Sequence, residues 1–167
     1  MGQELTKSDV EKIQAEIDHR KLVLRPQITR EIAEAAAQGD RSENFEYYAA
    51  KKANRENNGR IHYLERVLRF AKIISDESKE DEVGLNNTVT LYFEDDDEEE
   101  VYRFVTSIRG HSLDGLISNE SPLGRAVMGH KVGDRCEVKT DNGGSYYVVI
   151  RKIENTGESA EDRIKAF

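Results

Sequence analysis

The sequence predicts an α+β protein in two parts. A long helical hairpin comes first, and a small domain built on a mostly antiparallel sheet follows. Three observations predict this. Apolar residues recur at steps of three, four or seven over residues 6–38 and again over 42–74. From residue 88 onward the apolar period changes to two. Between the regimes lies the polar stretch SDESKEDEVGLNN, residues 75–87. The expected division is a hairpin over 1–75, a linker over 76–86, an α+β domain over 87–154 and a loose tail over 155–167.

The first helix is expected over residues 6–38. Its stripe is Val10, Ile13, Ile17, Leu24, Ile28, Ile32 and Ala35. Thr6 or Ser8 can cap its start. Pro26 falls inside the stripe and predicts a kink, because the period continues beyond it. The second helix is expected from residue 42 to about residue 74. Phe45, Tyr48 and Ala49 open its stripe, and Ile61, Leu64, Val67, Leu68, Ala71 and Ile74 complete it. Helices of about 30 residues run about 45 Å, and a tight turn between them makes them antiparallel neighbours. Long apolar stripes argue coiled-coil pairing, although neither keeps a strict heptad.

In the second half, TVTLYF (88–93) and EVYRFVTS (100–107) alternate as strands, with the acidic run Glu94 to Glu100 as a solvated hairpin loop between them. LISNES, RCEVKT and SYYVVIRKIE read as further strands, and DNGG turns the chain before the last of them. SPLGRAVMG (121–129) reads as a short helix, with Ser121 as cap and Pro122 at the first helical position.

Composition narrows the function classes. Of the 167 residues, 37% are hydrophobic and 35% charged, polar for one compact globule but suited to a long helical arm. No apolar run is long enough to span a membrane, and the polar start MGQELTKSDVEK has no signal-like character. Cys136 is the only cysteine, so no intrachain disulfide is expected and a cytoplasmic location is the default. The four histidines are scattered without zinc-ligand spacing. A net charge of -8 argues against a general nucleic-acid binder. Yet between Gln38 and Arg60 five cations face four acids, so the hairpin end is locally neutral to basic.

That hairpin end, EAAAQGDRSENFEYYAAKK (34–52), carries the chemistry. Gly39 suits a helix C′ position. Asp40, with Glu43 three residues later, is close to a capping box. Glu46 follows, and neither the cap nor a turn requires it. Carboxylates on an exposed tip are hard oxygen ligands that suit Mg²⁺. The cations Arg41, Lys51, Lys52 and Arg55 lie on or just behind the tip, where both a solvated helix face and phosphate contact fit them. Capping and ligand readings both stand at this level.

Taken together, four fragments in order resemble the GreA/GreB family of bacterial transcript cleavage factors, over about residues 5–154. They are LT near the start, RPQITREIAEAAAQGDRSENFEYYAAKK, GRIHYLERVL and ISNESPLGRAVMGHKVGD. GDRSEN and the paired lysines look like GreB; EYYAA and GRI look like GreA. The resemblance implies an antiparallel coiled coil followed by an FKBP-like domain. It implies a monomer that binds bacterial RNA polymerase through the secondary channel, with no membrane partner. It also implies that the tip stimulates the polymerase's own cleavage of the backtracked RNA 3′ end, so that the protein is not an enzyme by itself. On that match, Asp40 and Glu43 correspond to the catalytic pair that helps hold a Mg²⁺ of the polymerase, and Glu46 to a nearby acidic position. Arg41, Lys51 and Lys52 match an RNA-contacting basic patch, and Ser121, Pro122 and Arg125 a polymerase-docking segment. Asp9 stands where the family usually has Gly, a departure expected to be minor. Three other readings remain: a regulator of the same fold that occupies the channel without stimulating cleavage, a prolyl isomerase with a helical arm, and a coiled-coil adaptor.

Overall fold

The structure is a computed structural model that describes residues 2–38, 44–109, 115–157 and 164–165. It divides into two compact units: Val10–Ala71, and Gln3–Asp9 with Lys72–Ala166.

The first unit is helical. Helix α1 (Lys7–His19) runs through a π-helical segment (Arg20–Leu24) into α2 (Arg25–Ala37), and α3 (Phe45–Phe70) returns. The two arms are antiparallel, since partners descend in one as they rise in the other. Ala35 meets Asn44, Arg20 meets Asn57, and Glu16 meets Arg60. Ile13, Ile17, Ile28 and Ala35 are buried, as are Ala50, Ile61, Leu64 and Val67. The irregularity expected at Pro26 takes the form of the π segment just before it. Pro26 has no N–H to give, and its ring would crowd the carbonyl four residues back. The Arg25 N–H instead reaches the Arg20 carbonyl, five residues back, which widens the turn.

The seam contains a polar layer that the apolar stripe did not foretell. Asn57 and Arg60 are buried. Arg20 Nη1 donates to Asn57 Oδ1 at 3.0 Å, and Asn57 Nδ2 returns a bond to the Arg20 carbonyl at 3.2 Å. Glu16 Oε2 accepts from Arg20 Nε at 2.8 Å and from Arg60 Nε at 2.9 Å. Burial works to raise the Glu16 carboxyl, but the hydrogen bonds from Arg60 and Arg20 outweigh it, so it lies below its ordinary value.

Two expectations for the second helix are corrected. It was expected to run to about residue 74, but α3 ends at Phe70 and Ala71 is extended. The next residues pair instead: β1 (Glu4–Leu5) lies parallel to β2 (Lys72–Ile73), and the Ile74 N–H donates to the Leu5 carbonyl at 2.8 Å. Phe45 and Tyr48 do not open the buried stripe; they are 88% and 53% exposed. Five residues at about 100° each place Phe45 well away from the buried Ala50.

The second unit carries a five-stranded sheet in the order β5-β4-β3-β7-β6. Its strands are β3 (Asn87–Phe93), β4 (Glu98–Val105), β5 (Leu116–Ser118), β6 (Arg135–Lys139) and β7 (Ser145–Asn155). All neighbours are antiparallel except β4 and β5. Helix α4 (Pro122–Val127) packs against β6. The core joins Val89 and Leu91 of β3, Phe104 of β4, Cys136 and Val138 of β6, Val148 and Ile150 of β7, and Leu123 and Val127 of α4. Val83 and Leu85, expected in a polar linker, are buried, and Val83 belongs to this core. Burial pushes the Cys136 thiol up.

The acidic run is only partly a loop. Glu98, Glu99 and Glu100 pair in β4 opposite Phe93, Tyr92 and Leu91, which leaves residues 94–97 as the turn. Two stretches of the tail are tied down: Arg103 Nη2 donates to the Gly157 carbonyl at 2.7 Å, and the Lys165 N–H to the Ile108 carbonyl at 2.6 Å.

Asp9 is not a minor departure. It is fully buried. Its Oδ2 accepts from the Thr6 N–H at 2.9 Å, and Thr6 Oγ1 accepts from the Asp9 N–H at 3.2 Å, a reciprocal capping box at the start of α1. The same carboxylate accepts from Thr106 Oγ1 at 2.7 Å and from the buried Arg109 Nε at 2.5 Å. A glycine would keep only the N–H bond to Thr6 Oγ1 and could make none of the carboxylate's bonds.

Candidate functional site

Helix α3 begins at Phe45 because Asn44 caps it. The Asn44 backbone is extended, and Oδ1 accepts from the Tyr47 N–H at 3.0 Å. Its Nδ2 donates across the hairpin to the Ala35 carbonyl at 2.5 Å, near the end of α2. The sequence expected Asp40 in the capping position. Asp40, Arg41 and Glu43 themselves lie outside the described residues.

Glu46 sits in the first turn of α3, where a carboxylate complements the positive end of the helix dipole. It is exposed. With Glu31, Glu34 and Gln38 it borders a shallow groove of about 380 Å³ whose floor is Ala35, Ala49, Ala50 and Ala53. Among the described residues no group of three or more His, Cys, Asp or Glu side chains is placed to hold a metal ion.

Lys51 and Lys52 occupy the second turn of α3 and are exposed. Lys51 Nζ lies 5.8 Å from the centre of the Tyr47 ring. Lys52 Nζ is 3.9 Å from Glu56, a loose surface pair. Glu46 and the lysines therefore share the hairpin end but not a helix face. Glu46 turns toward α2, and the lysines turn away from the groove.

The segment from residue 118 to 128 is built with less freedom. Ser121 Oγ accepts from the Gly124 N–H at 3.0 Å and donates to the Ser118 carbonyl at 2.6 Å, which fixes the start of α4. Pro122 follows in the first turn, as expected. Gly124 is required by space: a Cβ there would come within 2.3 Å of the Ser118 carbonyl oxygen. With Leu123, Gly124 and Val127 buried, Pro122 and Arg125 are left on the exposed face. Arg125 borders two grooves. One, of about 400 Å³, is shared with Glu4, Glu82, Asn119 and Met128; the other, of about 340 Å³, with Pro122, Glu137, Lys139 and Asp141.

Sequence reasoning placed the cations on or just behind the tip and read the docking segment as a short helix; Lys51, Lys52, Pro122 and Arg125 are exposed. It missed the exposure of Phe45 and Tyr48, because a 3.6-residue period counts them as apolar without saying which face they join.

Two family models match the chain. One, described as transcription elongation factor, N-terminal, matches residues 3–73. The other, described as transcription elongation factor, GreA/GreB, C-term, matches residues 77–155. The chain is 42% identical over 153 residues to transcription elongation factor GreA of Streptococcus pneumoniae serotype 19F (strain G54), covering 91% of this chain and 95% of that protein. Identity and coverage are the same for the GreA of Streptococcus sanguinis (strain SK36). A crystal structure of GreA factor homolog 1 (Gfh1) of Thermus thermophilus is 26% identical, covers 92% of this chain and 99% of that one, and has a TM-score of 0.44.

Proposed function

We infer the function from membership: the chain belongs to the GreA/GreB family of transcription elongation factors. We propose that it enters the secondary channel of bacterial RNA polymerase and stimulates the polymerase's cleavage of backtracked RNA. On this reading the helical hairpin is a coiled-coil arm, and the sheet unit is an FKBP-like domain that stays outside. Ser121, Pro122 and Arg125 dock on the polymerase. Pro122 and Arg125 supply the exposed contact, while Ser121 holds the turn that presents them.

At the tip, Asp40 and Glu43 supply two carboxylates to a Mg²⁺ shared with the polymerase, and Glu46 adds negative charge behind them. That ion, the second of a two-metal site, would supply stabilisation of the charge developing at the scissile phosphate and activation of the attacking water. The polymerase holds the remaining ligands, since Mg²⁺ is commonly bound by one or two carboxylates plus phosphates and water. Arg41, Lys51 and Lys52 meet the phosphates of the extruded RNA.

One observation carries the catalytic reading. Asn44 already caps α3, so capping of that helix does not account for the acids that precede Asn44 in the sequence. The test is RNA cleavage in stalled, backtracked elongation complexes, with wild type and Asp40→Asn. The variant is expected to melt as wild type does, to compete with it for the polymerase, and to fail to accelerate cleavage. Higher Mg²⁺ should restore part of the rate. Asp40→Asn at full activity under limiting Mg²⁺ would remove the ligand role. A wild-type protein that binds the polymerase without accelerating cleavage would leave the channel-occupying regulator as the function.

A further inference from the structure

The first three turns of α3 carry a surface that neither capping nor metal binding uses. Phe45, Tyr48, Lys52 and Arg55 recur at three, four and three residues. At about 100° per residue they fall within roughly 80° of the helix circumference and extend along about 15 Å. All four are exposed, and Phe45, at 88%, is the most exposed large apolar side chain among the described residues. The buried residues Ala50 and Asn57 lie on the other side of the helix. Among the contacts of the described residues, leaving a phenylalanine in water at the first position of a helix has no folding benefit.

The composition of this face indicates what covers it. No aliphatic residue between Phe45 and Arg55 falls within that arc, so it lacks the aliphatic anchors of a protein docking patch. It sets two aromatic rings ahead of two cations, the residue kinds that hold single-stranded nucleic acid: rings stack on bases, and cations follow the phosphates. Tyr48 is held edge-on against Tyr47, ring centres 5.6 Å apart, with Lys51 beside that second ring. The partly fixed ring loses less freedom on stacking.

We propose that Phe45 and Tyr48 form a stacking platform for unpaired bases of the extruded RNA, with Lys52 and Arg55 on the adjoining phosphates. The proposal rests on the polymerase-channel reading above and deepens it by naming base stacking as the source of grip behind the tip. Because every base offers a ring face, the grip is indifferent to RNA sequence.

The test uses the full-length protein and elongation complexes backtracked by a defined length, whose extruded RNA carries either normal or abasic nucleotides. The readout is the acceleration of cleavage over the factor-free rate on the same RNA. On normal RNA, Phe45→Ala is expected to lose about tenfold of the acceleration at subsaturating protein, the order set by one base–aromatic stack. Phe45→Trp should retain the acceleration, and Phe45→Leu should fall with Phe45→Ala. On abasic RNA, where neither Phe45 nor Tyr48 has a base to stack on, wild type and Phe45→Ala should be equally slow, at or below the level of Phe45→Ala on normal RNA. Melting temperatures should be unchanged, since Phe45 is exposed. If Phe45→Leu matches wild type, or Phe45→Ala loses as much on abasic RNA as on normal RNA, the ring contacts polymerase protein and the platform is refuted. If wild type accelerates cleavage and no Phe45 variant differs from it, the platform alone fails. If wild type accelerates nothing, the channel reading fails, and the platform with it.

Discussion

Each unit is held together internally by its own chemistry. In the sheet unit the centre is apolar: Val89, Leu91, Phe104, Val138, Val148 and Ile150 interlock, and α4 closes over them. In the hairpin the centre of the seam is charged and amidic, with Glu16, Arg20, Asn57 and Arg60 bonded across it. Toward the tip the contact narrows to alanines. An apolar core gains stability from the water it excludes. A polar layer gains less, because desolvation offsets much of its attraction, but it can pin one register against its neighbours. A sheet domain needs the first property. A two-helix arm that must present one particular end needs the second, and a thin alanine seam keeps that end slim.

The sharpest way to break this contrast is to truncate one residue in each centre. Phe104→Ala removes a fully buried ring and is expected to cost about 3–5 kcal/mol. Asn57→Ala removes two hydrogen bonds from the hairpin and should cost about 1–2 kcal/mol. Urea unfolding followed by far-ultraviolet circular dichroism measures both. If the Asn57 variant loses as much as the Phe104 variant, the hairpin depends on its polar layer for stability and not only for register.

Asp9 complicates the contrast usefully, since it is a buried ion pair on the sheet side. Asp9→Ala leaves the Arg109 guanidinium buried without its carboxylate and removes the carboxylate half of the capping box, the bond from the Thr6 N–H. A loss of about 3 kcal/mol is expected. Asp9→Gly should be at least as costly, and the melting temperatures of the two variants decide it. Equal stability of Asp9→Gly and wild type would return Asp9 to the status of a neutral departure.

How much of this was legible in advance follows from where the signal lies. Periodicity located the hairpin, the switch to strands, and α4 with its Ser121 cap, because each is a local pattern. It placed Ile61, Leu64 and Val67 in the seam correctly. It failed where partners are distant in sequence. The pairing of Glu4–Leu5 with Lys72–Ile73, and of Asp9 with Arg109, joins residues that no window spans. Nor can a period tell that Phe45 faces water, because the first turn of a helix can be apolar without having anything to pack against. Ser121 was legible as a cap and Pro122 as the first position of a helix, and Glu46, Lys51 and Lys52 as polar residues on or just behind the tip. Their roles came from the resemblance and not from spacing.

A smaller effect sharpens the account of the hairpin through pH. The arginines hold Glu16 ionised below its ordinary value of 4.5. A carboxylate whose folded value is depressed contributes stability above its unfolded value, and that contribution is lost as pH falls through the folded value. Wild type should therefore lose on the order of 1 kcal/mol more than Glu16→Gln on acidification from about pH 6 to about pH 3, with allowance for the partial exposure of the pair. Melting temperatures of the two proteins across that range provide the test. Parallel curves would show that the Arg20 and Arg60 contacts are as strong with a neutral partner.

The smallest expected effect concerns Asn44, and it separates two jobs of one side chain. As an N-cap, Asp is as good as Asn. By capping alone, Asn44→Asp would be neutral or slightly stabilising, helped by the helix dipole. But Nδ2 of Asn44 also donates to the Ala35 carbonyl across the hairpin. A carboxylate cannot donate there, and it would set a negative oxygen against that carbonyl. Asn44→Asp is therefore expected to cost about 0.5–1 kcal/mol despite being a good cap. Asn44→Ser, which keeps the cap and merely drops the donor, should cost a few tenths less. Amide hydrogen exchange at Tyr47 reads the cap, and the melting temperature reads the sum. A protected Tyr47 amide in a destabilised Asn44→Asp protein would assign the loss to the cross-hairpin bond. If Asn44→Asp melts at or above wild type, that bond contributes nothing, and the closure of the hairpin behind the tip must rest on the alanine contacts of α2 and α3.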